Sequence, residues 1–173
     1  MRPTSERVRE AIFDILGPGG AAGAAVLDLY AGTGALGIEA LSRGAARAHF
    51  AERDLAAANA LRRSLERLGL AARARVEVVD LRADPYADAP GGSWDLVFLD
   101  PPYDGPDGEA WLRRLAGWTW PEDGGIVVYE RRTGGAVAAP ARLALLTERV
   151  YGDTTVSFYR GSGQADPPAR GAQ

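Results

Sequence analysis

The stretch AVLDLYAGTGALG, residues 25–37, decides the fold that we expect for this chain. Its first six residues are apolar except for Asp28 and predict a short buried strand. Gly32, Gly34 and Gly37 then give the spacing G-x-G-x-x-G between that strand and a helix. Because glycine lets the backbone come close to a ligand, amides at the start of the helix can reach a bound molecule. The stretch therefore predicts a strand–turn–helix unit with a ligand beside its glycine turn.

Strands and helices alternate on both sides of this unit. The apolar spacing predicts an amphipathic helix at 5–16, a helix opening at 36–41, a strand at 46–51, a helix at 55–68 ending at Gly69, strands at 76–79 and 94–100, a helix at 108–117 and a strand at 124–130. Such alternation predicts a parallel sheet covered on both faces. Residues 143–160 differ, because they predict two strands joined by a tight turn at Tyr151-Gly152-Asp153, a hairpin.

The length of the chain is typical of one domain. Its 173 residues fall within the size range of one compact unit, and we expect a single domain over residues 1–160. Residues 161–173 contain almost no apolar side chains, so we expect a disordered tail. The sequence contains no run of about 18 apolar residues of the kind that spans a membrane, and a cytoplasmic location is the default expectation.

The composition excludes several kinds of chemistry. All 20 basic residues are arginine, cysteine is absent, and His49 is the single histidine. Schiff-base chemistry, a phosphate-loop lysine, thiol nucleophiles and thiolate metal sites are therefore excluded, as is a zinc site built on several imidazoles. His49 lies in a predicted buried strand, and we expect a hydrogen-bonded core side chain. Catalysis must rely on carboxylates, arginines, hydroxyls, backbone groups or a cofactor.

Two acids near the glycine turn distinguish between possible ligands. The turn alone also fits a nicotinamide dinucleotide, with Glu52 accepting hydrogen bonds from ribose hydroxyls. Asp28, four residues before Gly32, would disfavour a pyrophosphate and favours the ammonium and sulfonium groups of S-adenosylmethionine. The structural alternatives are that Asp28 only holds loop amides and that Glu52 is a surface acid paired with Arg53 or Arg47.

The run Asp100-Pro101-Pro102-Tyr103 predicts a site for an exocyclic amino group of a nucleobase. Such an amino group is a weak nucleophile, because its lone pair is delocalised into the ring. Asp100 and the Pro101 carbonyl can accept its two N–H bonds and so direct the lone pair at a methyl group. The prolines stiffen the turn, and Tyr103 can stack on a flipped base for about 1–3 kcal/mol. The alternative is a proline-rich turn that merely ends a buried strand.

Four segments together resemble the RsmD family of bacterial 16S ribosomal RNA guanine-N2 methyltransferases. They are RPTSERVREAIFDIL at 2–16, VLDLYAGTGALGIEALSRGA at 26–45, DLVFLDPPY at 95–103 and YGDTTVSFY at 151–159. The resemblance implies an α/β, Rossmann-like, seven-stranded class I methyltransferase fold that depends on S-adenosylmethionine and uses no metal. It further implies the strand order 3-2-1-4-5-7-6, with strand 7 antiparallel.

The resemblance also implies roles for individual residues. Asp28 and the loop residues Ala31, Gly32, Thr33 and Gly34 would hold the methionine end of the cofactor, Glu52 would hold the ribose, and Asp80 or Asp84 would hold the adenine; Tyr30 and Arg53 are further cofactor-binding candidates. The target guanine would be held by Asp100, Pro101, Pro102 and Tyr103. The rest of the RNA would contact Arg2, Thr4 and Arg7. Of the two adenine candidates, Asp80 is favoured because it directly follows a strand.

A family member would act as a monomer on one guanine of small-subunit RNA in a partly assembled particle. Two other functions remain open: adenine-N6 methylation of DNA, and a cofactor-binding assembly factor without turnover. Family members usually begin with about two dozen further residues, so either the true start lies upstream or an RNA-facing element is missing. The net charge is +5 over residues 43–76 and −8 over residues 77–109, which contain the predicted base site. RNA affinity is therefore expected from arginines elsewhere.

Overall fold

Strands and helices follow one another in the order expected from the sequence. The computed structural model describes residues 6–83, 85–86, 88–102 and 107–162. The helices are α1 (Glu6–Leu16), α2 (Ala35–Ser42), α3 (Leu55–Arg67) and α4 (Asp107–Gly117). The strands are β1 (Ala25–Leu29), β2 (Arg47–Glu52), β3 (Ala74–Val78), β4 (Leu96–Leu99), β5 (Gly125–Arg132), β6 (Leu143–Tyr151) and β7 (Thr154–Gly161).

All seven strands form one sheet with the order β3-β2-β1-β4-β5-β7-β6. Strands β1 to β5 pair in parallel, whereas β7 is antiparallel to both β5 and β6. The predicted strand order and the predicted hairpin are therefore confirmed. Because parallel strands end at the same side of a sheet, the segments after β1, β2, β3 and β4 meet there, and we call this side the carboxyl edge.

Each face of the sheet carries its own apolar core. Side chains of α1, α2 and α3, among them Phe13 and Leu61, pack with Phe50 of β2 on one face. On the other face, α4 contributes Trp111 and Leu115. The alternation of side chains along each strand assigns neighbouring residues to opposite cores. The sheet is thus covered on both faces, as the strand–helix alternation predicted.

The end of α3 has the predicted glycine stop. Gly69 adopts a left-handed backbone with φ 69°, and the amide of Leu70 donates to the Leu65 carbonyl at 2.8 Å. The Gly69 amide donates to the Glu66 carbonyl at 3.0 Å, which completes a Schellman motif. At the other end of α3, the Asp54 carboxylate accepts the Ala57 amide at 2.7 Å. Local hydrogen-bonding chemistry therefore sets both ends of this helix.

The expectations about a membrane span and about the C-terminal tail can be compared with the structure only over the described residues. Within those residues, every helix is too short or too polar to cross a bilayer. The prediction of a disordered tail from Gly161 is wrong at its first residue, because Gly161 pairs with Gly125 and Leu143 in the sheet; residues 163–173 lie outside the described part of the chain.

Candidate functional site

A narrow cleft lies at the carboxyl edge, beside the ends of β1, β2 and β3. Its lining contains four of the predicted cofactor residues together with one proline of the predicted base site; the full set is Tyr30, Ala51, Glu52, Arg53, Val79, Asp80, Leu81, Arg82 and Pro102. Its volume is about 10 Å³, which is about the space of one water molecule. The predicted cofactor site and the predicted base site therefore adjoin the same cleft, which is almost closed.

The glycine turn between β1 and α2 has the backbone that its sequence requires. Gly32 and Gly34 have positive φ angles of 55° and 75°, and Tyr30 adopts φ 61° although it carries a side chain. Gly34 is the N-cap of α2, and no side chain caps it. A Cβ atom at Gly34 would collide with Leu61, and one at Gly37 would collide with the Phe50 ring. Gly34 and Gly37 therefore allow α2 to pack closely against Leu61 and Phe50. Because no side chain caps the first turn of α2, its backbone amides can bind a ligand.

Glu52 ends β2 and fastens the glycine turn to it. Its side chain is buried, and its two carboxylate oxygens accept the amides of Gly32 and Asp54, each at 2.8 Å. The alternative that Glu52 is a surface acid paired with an arginine is therefore wrong. The sequence did not reveal that the end of β2 is buried. There Glu52 accepts two backbone hydrogen bonds and forms no salt bridge within the described residues.

Asp28 lies beneath the turn, in the middle of the sheet. The residue is 2% exposed, and its Oδ2 accepts the Gly37 amide at 3.0 Å. Burial raises the pKa of Asp28 to about 8; the Gly37 hydrogen bond opposes this shift, and the nearby charge of Glu52 adds to it. Asp28 therefore holds a loop amide, as its structural alternative proposed, and at neutral pH without a ligand it is largely protonated.

Asp80 and Arg82 form the outer wall of the cleft. The Asp80 carboxylate accepts the amide of Arg82 at 3.0 Å, and the Arg82 guanidinium pairs with Asp107 of α4 at 3.1 Å. This ion pair joins the segment after β3 to the helix that follows the Asp-Pro-Pro-Tyr run. Sequence reasoning missed it, because 25 residues separate the partners. Asp84, the other adenine candidate, lies outside the described residues.

The predicted base site is only partly described. Asp100 is half-buried after β4, Pro101 is buried and Pro102 is half-buried, whereas Tyr103 lies outside the described residues. A cavity of about 230 Å³ adjoins the two prolines; its lining includes Glu109, Tyr129, Arg131, Thr133 and Val137. Its size suits a single flipped base.

Arg131 is a site candidate that the sequence pattern did not indicate. The strand predicted to end at residue 130 continues to Arg132, because its pairing with β7 continues to Thr154. Arg131 is therefore buried in the sheet, where it pairs with Glu148 at 3.2 Å and donates to the Gly134 carbonyl at 3.1 Å. Of the predicted RNA-binding residues, Arg7 is exposed on α1, and Arg2 and Thr4 lie outside the described residues.

The comparison with known proteins agrees with this architecture. Residues 1–160 match the family model described as conserved hypothetical protein 95. Ribosomal RNA small subunit methyltransferase D of Escherichia coli K12 is 35% identical over 170 residues, which are 98% of this chain and 84% of that protein. This chain belongs to the family of methyltransferase D. The family resemblance predicted from the sequence is confirmed.

Other members of the methyltransferase D family support the same assignment. The protein of that name from Haemophilus influenzae is 31% identical over 92% of this chain and 83% of its own length. A solved structure of yhhF from Escherichia coli superposes with a TM-score of 0.82 at 35% identity, over 95% of this chain and 89% of that one. The predicted fold class, the methyltransferase activity and the S-adenosylmethionine cofactor are thus confirmed.

Proposed function

We propose that this protein transfers the methyl group of S-adenosylmethionine to the exocyclic N2 amino group of a guanine in 16S ribosomal RNA. One observation carries the proposal. The glycine turn fastened by Glu52 and the Asp100-Pro101-Pro102 run reach the same carboxyl edge, and Pro102 lines the cleft that contains Glu52. The names of the relatives support a ribosomal RNA substrate.

The side chains of the cleft fit the chemistry of the cofactor. Glu52 donates no hydrogen bond and uses one lone pair of each oxygen for a backbone amide, so further lone pairs remain for ribose hydroxyls. The Asp80 carboxylate can accept a hydrogen bond from the adenine amino group. When bound, the cofactor supplies a methyl group on a positively charged sulfur, ready for in-line displacement.

The methionine end would lie against the glycine turn. Ala31, Thr33 and Gly34 form its rim, and the buried Asp28 lies beneath it. A positive ammonium or sulfonium above the turn favours the ionised form of Asp28 and so lowers its pKa from the raised value of the free protein. Tyr30 and Arg53 complete the walls of the cleft.

The cleft must widen to admit the adenosine. A volume of about 10 Å³ is far too small for a nucleoside. Arg82 lines the cleft and is paired with Asp107 of α4, so displacement of this partly exposed ion pair is the simplest opening movement. Surface ion pairs contribute about 0–1 kcal/mol, and the opening therefore costs little.

The protein activates the guanine mainly by positioning. Asp100 and the Pro101 carbonyl accept the two N–H bonds of the amino group and hold its lone pair in line with the methyl group. Neither proline offers an amide that would compete for the base, and Tyr103 stacks on it. The proton leaves the amino group after methyl transfer, when Asp100 or water can accept it.

Residues 1–160 form a single domain in this proposal, which acts as a monomer in the cytoplasm. Its substrate is a partly assembled small subunit, because a flipped guanine must be accessible before neighbouring proteins cover it.

The proposal is tested by incubating the protein with tritiated S-adenosylmethionine and small subunits that lack the modification. We expect label on the N2 atom of a guanine in 16S RNA. Label on DNA adenine would instead establish the DNA methyltransferase alternative. Cofactor binding without transfer to any nucleic acid would support the assembly factor and contradict our proposal.

A further inference from the structure

A second cavity lies at the opposite side of the sheet, where β2 and β3 begin. We call it the arginine cavity; its lining includes Arg47, His49, Arg73, Arg75, Gly91 and Trp94. Its volume is about 290 Å³, which is much larger than the carboxyl-edge cleft. Arg47 and Glu52 are five residue steps apart along β2, so the two sites lie roughly 16 Å apart along the strand.

Strand register places three of the side chains of this cavity, those of Arg47, His49 and Arg75, on one face; Arg73 lies in the turn just before β3. His49 of β2 pairs with Arg75 of β3, so their side chains point to the same side. Arg47 lies two residues before His49 and shares that face. This is the face on which Trp94 packs, and the Trp94 ring contacts both Arg47 and His49. The sheet itself therefore brings the cations together.

Two of the three guanidinium groups are held in place by neighbours without charge. Arg47 stacks on the Trp94 ring, 4.2 Å from its centroid. Arg73 donates to the carbonyls of Ala45 and Leu41, at 2.7 and 3.3 Å. A side chain that is already ordered loses less conformational entropy when it binds a ligand. The cavity is therefore prepared for an anion.

The positive charge of the arginine cavity is not neutralised from within. Among the described residues, none of its three arginines forms a salt bridge to a carboxylate, in contrast to Arg43 and Arg82. Glu77, the acid on the same face, accepts hydrogen bonds from His49 at 2.9 Å and from Tyr86 at 2.8 Å. Glu77 thus binds His49 and Tyr86 and none of the three arginines, and the guanidinium groups keep their hydrogen-bonding capacity for another anion.

We propose that the arginine cavity binds backbone phosphate of the RNA substrate, on the side of the sheet opposite to the methylated base. The proposal rests on the function proposed above. Guanidinium forks match phosphate oxygens in geometry and remain charged at every physiological pH. At the carboxyl edge, the lining of the cleft and of the base cavity includes the acids Glu52, Asp80 and Glu109, which disfavour a polyanion there. RNA is thus anchored at one side of the sheet and modified at the other.

The test compares two double variants with the same change in net charge. R47A/R75A removes two guanidinium groups from the cavity, and R149A/R160A removes two from β6 and β7. We expect R47A/R75A to bind a 16S RNA transcript about tenfold more weakly, with a salt dependence shallower by about one in log–log slope. R149A/R160A should bind the transcript as the unchanged protein does, and both variants should bind S-adenosylmethionine normally.

The single histidine gives a direct readout of the cavity. His49 lines it, so the Cε1 proton of the imidazole is one unambiguous NMR signal. A short RNA fragment should shift this signal in the unchanged protein and in R149A/R160A, and much less in R47A/R75A. R75A alone serves if the double variant fails to fold, because Arg75 forms no hydrogen bond or ion pair within the described residues.

The outcomes separate this inference from the proposed function. If the unchanged protein labels 16S RNA but R47A/R75A keeps full RNA affinity and salt dependence, only this inference is overturned. Loss of affinity for assembled subunits, with unchanged affinity for the naked transcript, would assign the cavity to a ribosomal protein and also overturn it. If the unchanged protein neither binds nor labels RNA, the proposed function itself is wrong.

Discussion

The two ends of strands β2 and β3 carry opposite chemistry. At the carboxyl edge, Glu52 is buried against the glycine turn. Arg82, which also lines the cleft, forms an ion pair with Asp107. At the amino end, Arg47 and Arg75 have no carboxylate partner in the described part of the chain, because Glu77, two residues further along β3, is bound to His49 and Tyr86. A sheet about 16 Å deep thus separates the proposed cofactor site from the proposed phosphate site.

Hydrogen bonds to backbone groups hold a charged side chain at each end, Glu52 at the carboxyl edge and Arg73 at the amino end. Backbone amides of Gly32 and Asp54 bind Glu52, and backbone carbonyls of Leu41 and Ala45 bind Arg73. Leu41 lies in the last turn of α2, where carbonyls point outward and favour cations. Backbone dipoles fix a charge without neutralising it, so each end keeps the sign that its ligand requires. This comparison makes predictions that treat the two ends independently.

The largest effect is expected from Asp100→Ala at the carboxyl edge. Loss of the carboxylate removes one of the two acceptors that orient the amino group, and methyl transfer should fall by at least about 100-fold. Affinity for the RNA and for the cofactor should change less than about twofold, because Asp100 contacts neither the phosphates nor the cleft in our proposal. Single-turnover transfer and filter binding measure the two quantities. Asp123→Ala, at an exposed acid, is the matched control, and a parallel loss of RNA affinity would break the separation of the two ends.

Glu52→Gln should weaken cofactor binding without affecting RNA affinity. The amide side chain keeps one acceptor oxygen, so either the Gly32 or the Asp54 amide loses its partner, and the ribose loses a charged acceptor. Such losses correspond to an increase of about 10- to 100-fold in the dissociation constant for S-adenosylmethionine. Calorimetric titration measures this constant, with Glu66→Gln on the exposed face of α3 as the control. An unchanged constant would remove Glu52 from the cofactor site.

Asp28→Asn should change how stability depends on pH in the cofactor-free protein. The native carboxyl keeps its proton up to about pH 8, whereas the unfolded chain releases it near pH 3.8. Between these values the native state binds more protons, so its free energy of unfolding falls as pH rises, by a few kcal/mol over the whole range. Asp28→Asn should lack this fall. Urea unfolding at pH 5 and pH 8 measures it, and Asp14→Asn on α1 is the control; equal slopes in Asp28→Asn and the unchanged protein would show that Asp28 is already ionised.

His49→Gln should give a smaller effect of opposite sign at the amino end. Burial lowers the pKa of His49, and the bond to Glu77 opposes this shift. The unfolded state therefore binds more protons just below pH 6.5, and the contribution of His49 to stability is lost as pH falls through this range. Glutamine can still donate to Glu77 but does not titrate. The difference in unfolding free energy between His49→Gln and the unchanged protein should shift in favour of the variant from pH 7 to pH 5.5, and a constant difference would contradict the burial effect.

Much of the fold could be predicted because its signals are local. The apolar period, the glycine turn and the stop at Gly69 placed each strand and helix within two residues of its observed ends, since hydrogen bonding within one turn decides them. One of the two-residue differences has a tertiary cause. Strand β5 runs on to Arg132 because β7, more than twenty residues later, supplies partners as far as Thr154. No property of residues 124–130 announces that extension.

The sequence by itself predicted the alternation of strands and helices and the strand–turn–helix unit at the glycine turn, and the family resemblance implied the order of the sheet. It also showed that positive and negative charge fall in different segments. Only the tertiary structure decided the partners of the charged groups: two amides for Glu52, Asp107 for Arg82, and His49 and Tyr86 for Glu77. The physical reason is that electrostatic pairing depends on distance and burial in space, and residues 20 or more positions apart come together only when parallel strands align their ends.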